Sequence, residues 1–269
     1  MKIGVIGAAG RMGRMLIAEV LGHDGASLVG AVEGPGNEAI GRDAGLLAGL
    51  GDAGVAVGDD AGALFAACDA VLEFTSAEAS LAHAALAASS RTIHVIGTTG
   101  LDPDQEAALA AAAQSTAIVW APNMSLGVNL LMGLVERVAA ALDDDFDIEI
   151  FEIHHRHKLD APSGTALGLG TAAARGRGVD LDDVAIRGRD GVTGARRRGA
   201  IGFASLRAGD VVGDHSVIFA ADGERLELTH KSASRQTYAR GALRAAAWAH
   251  GKSPGLYTMA DVLEFAAPS

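Results

Sequence analysis

The chain has 269 residues, of which 49% are hydrophobic and 20% charged, and its formal net charge is −11. This length is enough for two modest domains. The negative balance argues against nucleic acid as the main partner, because a phosphate backbone requires a basic surface. The sequence contains no apolar run of about 18 residues, so we predict no membrane span. The first residues enter a β-type run directly, so we expect no signal peptide and a cytoplasmic protein.

The first 124 residues alternate between short β-rich runs and helical runs. We predict strands at 3–6, 28–33, 55–57, 70–74, 92–96 and 117–120, and helices at 11–22, 60–67, 78–89 and 102–114. This alternation predicts an α/β fold with a Rossmann-type doubly wound parallel sheet. Ligands of such sheets bind at the carboxyl ends of the strands.

A glycine-rich loop follows the first predicted strand. Its residues are Gly7, Ala8, Ala9, Gly10, Arg11, Met12 and Gly13. Strand, glycine turn and helix are the context of a dinucleotide-binding fingerprint, although the spacing is GxxGxxG rather than GxGxxG. The pyrophosphate would lie at the helix N-terminus. The second strand ends in Glu33, whose carboxylate can accept hydrogen bonds from an adenosine ribose.

Three later strand ends carry polar or glycine-rich residues, and we expect them to line the nicotinamide half of the cofactor. These residues are Thr75 and Ser76, then Gly97, Thr98 and Thr99, then Ala121, Pro122, Asn123 and Met124. The Gly-Thr-Thr-Gly segment could also be a plain turn before a helix. Its place at a strand end favours the functional interpretation.

The pattern changes after Ser125. We predict helices at 126–142, 165–175, 238–249 and 259–265, strands at 146–153, 201–207, 211–219 and 224–231, and an irregular segment at 176–199. Tight turns at 208–210 and 222–223 predict two antiparallel hairpins among the last three strands. We expect a dinucleotide-binding domain at 1–124 plus 236–269, and a smaller α+β domain for substrate binding and oligomerisation at 125–235.

Two details of this second half leave alternatives open. In the strand at 146–153, Ile148 and Ile150 are out of phase with Phe151 and Ile153. Either a bulge intervenes or both faces are covered, the second for example by a partner subunit. The three arginines at 196–198 could resemble a nucleic-acid patch, but in an acidic chain a solvated loop or an intersubunit arm is favoured.

The segment 154–165 has the highest density of chemically active residues. Its candidate site residues are His154, His155, His157, Lys158, Ser163, Gly164 and Thr165. Imidazoles exchange protons near neutral pH, and Lys158 adds a cation. The start of a helix follows, whose amides favour a carboxylate or a phosphate. We predict a site for a small anionic substrate.

With these motifs the chain resembles the 4-hydroxy-tetrahydrodipicolinate reductase family, also called dihydrodipicolinate reductase, of lysine biosynthesis. The resemblance covers GAAGRMG at 7–13, GTTG at 97–100, APNMS at 121–125 and HHRHKLDAPSGTA at 154–166, and continues near residues 234–235 and 255–257. The histidine run is highly specific, whereas the glycine loop occurs in many dehydrogenases. The resemblance implies an NAD(P)H-dependent oxidoreductase acting on a cyclic dicarboxylate, and a homotetramer built through the sheet of the smaller domain.

The resemblance also implies residue roles. Residues 8–13 would bind the pyrophosphate and Glu33 the ribose, while residues 97–99 and 121–124 would line the nicotinamide. His154 would be the catalytic proton donor or acceptor and Lys158 a second donor. His155, Ser163, Gly164 and Thr165 would hold the substrate carboxylates, with Lys158 contributing its charge. No metal is implied.

One departure from the family pattern concerns the cofactor. Many members have an arginine directly after the ribose-binding acid, which suits the 2′-phosphate of NADPH, but here Gly34 follows Glu33. We therefore predict that NADH is preferred over NADPH.

Three other interpretations remain. Another two-domain NAD(P)-dependent dehydrogenase of a small acid would share the glycine loop but would not require the basic segment. A non-catalytic dinucleotide sensor would require neither His154 nor Lys158. A metal site on His155 and His157 is disfavoured, because Lys158 would repel a dication and no carboxylate or cysteine ligand is evident.

Overall fold

A computed structural model describes residues 1–265 of the chain. These residues form two compact units. The first unit combines Met1–Leu126 with Arg235–Glu264, and the second contains Gly127–Ser234 together with Phe265. The predicted first domain also includes residues 266–269, which lie outside the described residues.

The helices and strands follow in this order. The strands are β1 (Lys2–Ile6), β2 (Ser27–Val32), β3 (Val57–Gly58), β4 (Ala70–Glu73), β5 (Ile93–Ile96), β6 (Ala117–Trp120), β7 (Asp147–His154), β8 (Ala185–Ile186), β9 (Ile201–Arg207), β10 (Gly213–Ala221), β11 (Glu224–Ser232) and β12 (Gly255–Tyr257). The helices are α1 (Arg11–Leu21), α2 (Ala44–Leu47), α3 (Ala61–Ala67), α4 (Ala77–Ser90), α5 (Pro103–Ala112), α6 (Leu126–Ala141), α7 (Gly164–Gly176), α8 (Leu181–Val184), α9 (Gln236–Ala249) and α10 (Met259–Val262).

The first unit contains a seven-stranded sheet in the order β12-β6-β5-β4-β1-β2-β3. Neighbouring strands in this sheet are paired in parallel. The order 3-2-1-4-5-6 is that of a Rossmann fold, and it reverses between β1 and β4. The predicted fold class is confirmed. Short β12 was not predicted, because three residues give too little alternation to detect.

The helices of this unit begin at identifiable side-chain caps. Asp60, Ser76 and Asp102 each accept a hydrogen bond from a backbone amide in the first turn of α3, α4 and α5. Such caps stabilise a helix by about 1 kcal/mol. The strands between these helices are buried on both sides, as in β4, where all four residues are buried. Capped helices around apolar strands place all the strand-to-helix loops at one edge of the sheet.

The second unit contains a five-stranded mixed sheet in the order β11-β10-β7-β9-β8. The hairpin of β10 and β11 is confirmed. The predicted hairpin between the strands at 201–207 and 211–219 is wrong, because β7 lies between them. It pairs parallel with β9 and antiparallel with β10. A tight turn constrains direction but not which strand becomes the neighbour. The segment predicted to be irregular also contains α8 and β8.

Strand β7 contains no bulge, and within this unit only one of its two faces is covered. Its pairing with β9 and β10 runs without interruption. Ile148, Ile150, Glu152 and His154 are buried on one face, toward the core that α6 and α7 complete. Phe151, on the opposite face, is 36% exposed.

The arginine-rich segment is held against the start of β7. Arg196 donates to the carboxylates of Asp147 and Glu149 and to the carbonyl oxygens of Ile148 and Ala200. The segment is therefore an ordered part of the second unit and its first arginine is committed to internal ion pairs.

Candidate active site

The glycine loop between β1 and α1 is shaped by close backbone contacts. Gly7 has a φ of +73°, a left-handed conformation that favours glycine. A Cβ at Gly13 would lie 1.9 Å from the carbonyl oxygen of Gly7, so only glycine fits there. The amides of Gly7 and Ala8 both donate to the carbonyl oxygen of Val32, which joins the loop to the end of β2.

Helix α1 begins at this loop without a side-chain cap, unlike α3, α4 and α5. Its N-cap is Gly10, which has no side chain to offer. The first-turn amides of a helix have no acceptor within the helix and attract an anion. An uncapped helix start beside a glycine turn is thus a suitable place for a pyrophosphate.

Glu33 lies beside the same loop. Its Oε1 accepts a hydrogen bond from the Ala9 amide at 2.7 Å, and its Oε2 accepts from the Gly34 amide at 3.2 Å and from Asn37 Nδ2 at 3.4 Å. These contacts hold the carboxylate at the end of β2. Sequence reasoning missed Asn37, whose only signal was its position four residues after the acid.

The loops after β4, β5 and β6 are linked through Thr98. Its Oγ1 accepts a hydrogen bond from the Thr75 amide at 3.0 Å, and its carbonyl oxygen accepts from Trp120 Nε1 at 3.0 Å. Thr98 is buried, whereas Thr99 is exposed. Gly97 is buried against Phe74, since a Cβ there would lie 2.1 Å from the ring. The three predicted nicotinamide-side loops therefore meet at one edge of the sheet.

The loop at 121–124, after β6, combines buried and exposed residues. Met124 is fully buried in the hydrophobic core of the first unit, and its carbonyl oxygen packs against Gly241 of α9. Ala121 is also buried, and Pro122 is exposed. Asn123 Oδ1 accepts a hydrogen bond from the Ser125 amide at 2.9 Å. Within the described residues, Met124 therefore has no exposed surface.

In the second unit, β7 ends in a carboxylate–histidine pair. The carboxylate of Glu152 is hydrogen-bonded to Nδ1 of His154. Arg207, opposite on β9, donates to both oxygens of Glu152 at 3.0 and 2.9 Å. Both Glu152 and His154 are buried. With Nδ1 engaged, Nε2 of His154 is the nitrogen that remains for proton exchange. Gly213 allows this ring to approach β10, since a Cβ there would lie 2.9 Å from Nε2.

Burial and charge set the protonation of this pair. Burial would raise the pKa of Glu152, but hydrogen bonds from His154 and Arg207 lower that pKa below its ordinary value. Burial lowers the pKa of His154, and the cations of Lys158 and Arg207 act in the same direction against the opposing influence of Glu152. Glu152 is therefore ionised at neutral pH, and the proton of His154 is weakly held.

His215 also belongs to this cluster, and sequence reasoning missed both His215 and Glu152. His215, which pairs with Glu152 across β10, has its ring 5.0 Å from that of His154. Its Nε2 lies 3.1 Å from Ser163 Oγ. Burial and the nearby His154 lower the pKa of His215 to about 4, so it is neutral at pH 7. Correct strand pairing would have identified both residues.

The remaining predicted substrate residues lie in the turn and helix that follow β7. Ser163 is the N-cap of α7 and accepts a hydrogen bond from the Ala166 amide at 3.1 Å. Gly164 begins the helix and is exposed, so its amide has no acceptor within the helix. Thr165 follows it and is half-buried.

One basic side chain of the turn is paired with a neighbouring carboxylate. Lys158 Nζ donates to Asp160 Oδ1 at 2.8 Å, and this aspartate is largely exposed. The ring of His155 lies 6.3 Å from that of His157. Buried Nδ1 of His155 has no partner among the described residues. Lys158 and His155 thus present polar groups at the same turn.

Residues 1–265 contain neither a metal-binding cluster nor a membrane-spanning helix. In that range no cluster of three or more His, Cys, Asp or Glu side chains could hold a metal ion. No helix there combines the length and the apolar character required to cross a bilayer.

Sequence comparison identifies relatives over almost the whole chain. Family models described as dihydrodipicolinate reductase match residues 1–124 (N-terminus) and 127–263 (C-terminus). A 4-hydroxy-tetrahydrodipicolinate reductase of Dinoroseobacter shibae is 59% identical over 259 residues, covering 96% of each chain. The Brucella abortus enzyme of the same name is 56% identical over 264 residues, covering 98% of each.

Structural comparison agrees on the fold. A dipicolinate-bound dihydrodipicolinate reductase from Paenisporosarcina sp. TG-14 superimposes with a TM-score of 0.77 at 23% identity, covering 96% of this chain and 97% of that one. The family models and the sequence relatives place the chain in the dihydrodipicolinate reductase family of NAD(P)H-dependent oxidoreductases.

Proposed function

We propose that this protein reduces 4-hydroxy-2,3,4,5-tetrahydrodipicolinate to 2,3,4,5-tetrahydrodipicolinate with loss of water, in lysine and diaminopimelate biosynthesis. The observation that carries the proposal is the Glu152–His154 pair next to Lys158 and the start of α7, in a chain 59% identical to a reductase of that name. A dinucleotide sensor would have no use for this arrangement. Dehydrogenases of other small acids would not require it either.

The first unit would bind the dinucleotide. The uncapped start of α1 and residues 7–13 fit its pyrophosphate, and Glu33 fits the adenosine ribose. Residues 97–99 and 121–124 would line the nicotinamide. When bound, the reduced cofactor supplies the hydride, and the protein supplies binding and orientation.

The second unit would bind the dicarboxylate. The amides of Gly164 and Thr165 at the start of α7 would hold one carboxylate, with a helix-dipole contribution of about 0.3–1 kcal/mol. His155 and Ser163 would complete this contact. The ammonium group of Lys158 would stabilise the second negative charge, after exchanging its contact with exposed Asp160 for one with substrate.

His154 would donate the proton that the reaction requires. Its Nε2 can donate to the ring atom next to the one that receives hydride, while Nδ1 stays bonded to ionised Glu152. Lys158 would stabilise the enamine-like negative charge that develops and would serve as a second donor. Loss of the 4-hydroxyl group as water also requires an acid in this position.

We further infer a preference for NADH over NADPH. The carboxylate of Glu33 would repel a 2′-phosphate, and residues 34–36 offer it no side-chain cation. Arg42, the next arginine along the chain, is exposed. The ratio of kcat/KM for the two cofactors measures this preference, and a ratio above ten in favour of NADPH would contradict it.

We also propose a homotetramer assembled through the outer face of the five-stranded sheet. Phe151 and Leu206, on neighbouring strands of this face, are 36% and 45% exposed. Phe151→Asp should shift the mass measured by light scattering to smaller species. An exposed control such as Leu21→Asp in α1 should leave the mass unchanged. A monomeric wild type would contradict the proposal.

A coupled assay tests the function directly. The purified protein is combined with the aldolase-type synthase that produces the hydroxy-tetrahydrodipicolinate, and oxidation of NADH or NADPH is followed at 340 nm. Oxidation should depend on the synthase and on both of its substrates. Oxidation of neither cofactor under these conditions would overturn the proposed function.

A further inference from the structure

A second buried glutamate lies in the first unit, in the last position of β4. Glu73 is 0% exposed, and its carboxylate has four side-chain partners. Thr75 Oγ1 donates to Oε1 at 3.0 Å, and Ser80 Oγ donates to the same oxygen. His83 Nδ1 and His94 Nε2 lie 2.7 and 3.1 Å from Oε2. The proposed chemistry uses none of these four contacts.

The carboxylate of Glu73 is ionised. Burial on its own would raise its pKa, but the hydrogen bonds and charges of His83 and His94 more than offset burial and hold the pKa well below its ordinary value. An ionised carboxylate only accepts hydrogen bonds. Every partner must therefore direct a proton toward it.

This requirement fixes the direction of the hydrogen bonds that lead from Glu73 through Ser80 to Thr98. Ser80 has a single hydroxyl proton, and that proton is directed to Glu73. Ser80 Oγ also lies 2.8 Å from Thr98 Oγ1. Since Ser80 has no second proton to give, the hydroxyl of Thr98 must donate in this contact. Thr98 Oγ1 then keeps its lone pairs for the Thr75 amide, which donates to it at 3.0 Å.

Thr98 in turn holds the backbone of the predicted nicotinamide loop. Its carbonyl oxygen accepts from Trp120 Nε1 at the end of β6. The preceding amide, that of Gly97, donates to the carbonyl oxygen of Glu73 at 2.9 Å. The loop after β5 is thus fixed on one side to β4 and on the other to β6. Exposed Thr99 follows directly.

We propose that Glu73 is a positioning residue for the cofactor: its charge, acting through Ser80 and Thr98, holds the loop at 97–99 in the conformation that receives the nicotinamide. The proposal rests on the proposed function for the assignment of this loop to the cofactor. His83 and His94 keep the carboxylate ionised although it is fully buried. Glu73 itself touches neither cofactor nor substrate.

The test measures NADH binding by fluorescence titration, with steady-state kinetics in parallel. Glu73→Gln keeps the shape but places an amide donor against groups that must themselves donate. Ser80→Ala removes only the connection to Thr98. We expect both variants to raise the Kd for NADH about tenfold, while kcat at saturating NADH stays within about threefold of the wild type.

Thr92→Val is the matched control for a merely structural effect. Thr92 is also buried, and its hydroxyl donates to the Phe65 carbonyl oxygen at 2.7 Å, but it lies at the other end of β5. The Kd of the Thr92→Val variant for NADH should stay within about twofold of the wild type. In a Thr98→Val background, Glu73→Gln should add less than about threefold, because the route through Thr98 is already broken.

Three results would overturn the inference. They are wild-type NADH affinity in Ser80→Ala, an equal loss of affinity in Thr92→Val, and full multiplication of the Glu73→Gln and Thr98→Val effects. Ser80→Ala decides the matter if Glu73→Gln does not fold. A wild type that binds NADH without turning over the substrate would refute the proposed function alone. A wild type that binds neither cofactor would refute both.

Discussion

The two units contain similar polar clusters that are used differently. Each has a buried glutamate near the end of a strand, bonded to a histidine. In the first unit, Glu73 is fully buried, and its four side-chain partners all donate to its carboxylate. In the second unit, Glu152 is held by Arg207 and His154, and the far nitrogen of His154 remains for another partner. The first arrangement can only position its neighbours, whereas the second can exchange a proton.

Removing the proton donors should have the largest effect. His154→Gln and Lys158→Gln should each lower kcat about 10²–10⁴-fold, the range for loss of a general acid or base. The Kd for NADH should stay within about twofold, because these residues belong to the second unit. Steady-state kinetics and fluorescence titration measure the two quantities. Wild-type turnover in both variants would refute the assigned chemistry.

Removing the charge behind His154 should have a smaller effect. Glu152→Gln retains an acceptor for Nδ1 but loses the negative charge that raises the pKa of His154 against burial. The acid form of His154 would then be lost at a lower pH. We expect kcat to fall about tenfold, the value of one charge-assisted hydrogen bond, and its decline with rising pH to begin at a lower pH. A pH profile of kcat identical in shape to the wild type would contradict this role.

The buried, neutral imidazole of His215 should make the stability of the fold moderately dependent on pH. Its pKa in the folded protein, about 4, lies below the ordinary value of 6.5. The unfolded chain therefore binds the proton more readily between these pH values, and stability falls as pH decreases through that window.

Thermal unfolding at pH 7 and pH 5 tests this expectation, since most carboxylates stay ionised over that interval. The wild type should lose several degrees more in Tm than His215→Gln. His250→Gln, at an exposed position, should follow the wild type. An equal loss of Tm in His215→Gln and the wild type would show that protonation of His215 does not destabilise the fold.

The sequence was sufficient for the parallel sheet and its loops, because apolar strands and capped helices alternate there with strong local signals. It failed where non-local pairing decides. Nothing in residues 201–219 indicates that β7 inserts between β9 and β10. For the same reason Glu152 and His215 were missed, since their relation to His154 depends on strand register. The cluster of Glu73 was missed because His83 and His94 are separated along the chain and meet only through packing of α4 on β5.

The most direct test compares Glu73→Gln and Glu152→Gln in one experiment, with kcat and the Kd for NADH measured for both. The structure predicts opposite results. Glu152→Gln should reduce kcat about tenfold with an unchanged Kd, and Glu73→Gln should raise the Kd about tenfold with kcat nearly unchanged. If both substitutions altered the same quantity to the same extent, the separation of positioning in one unit from proton transfer in the other would be wrong.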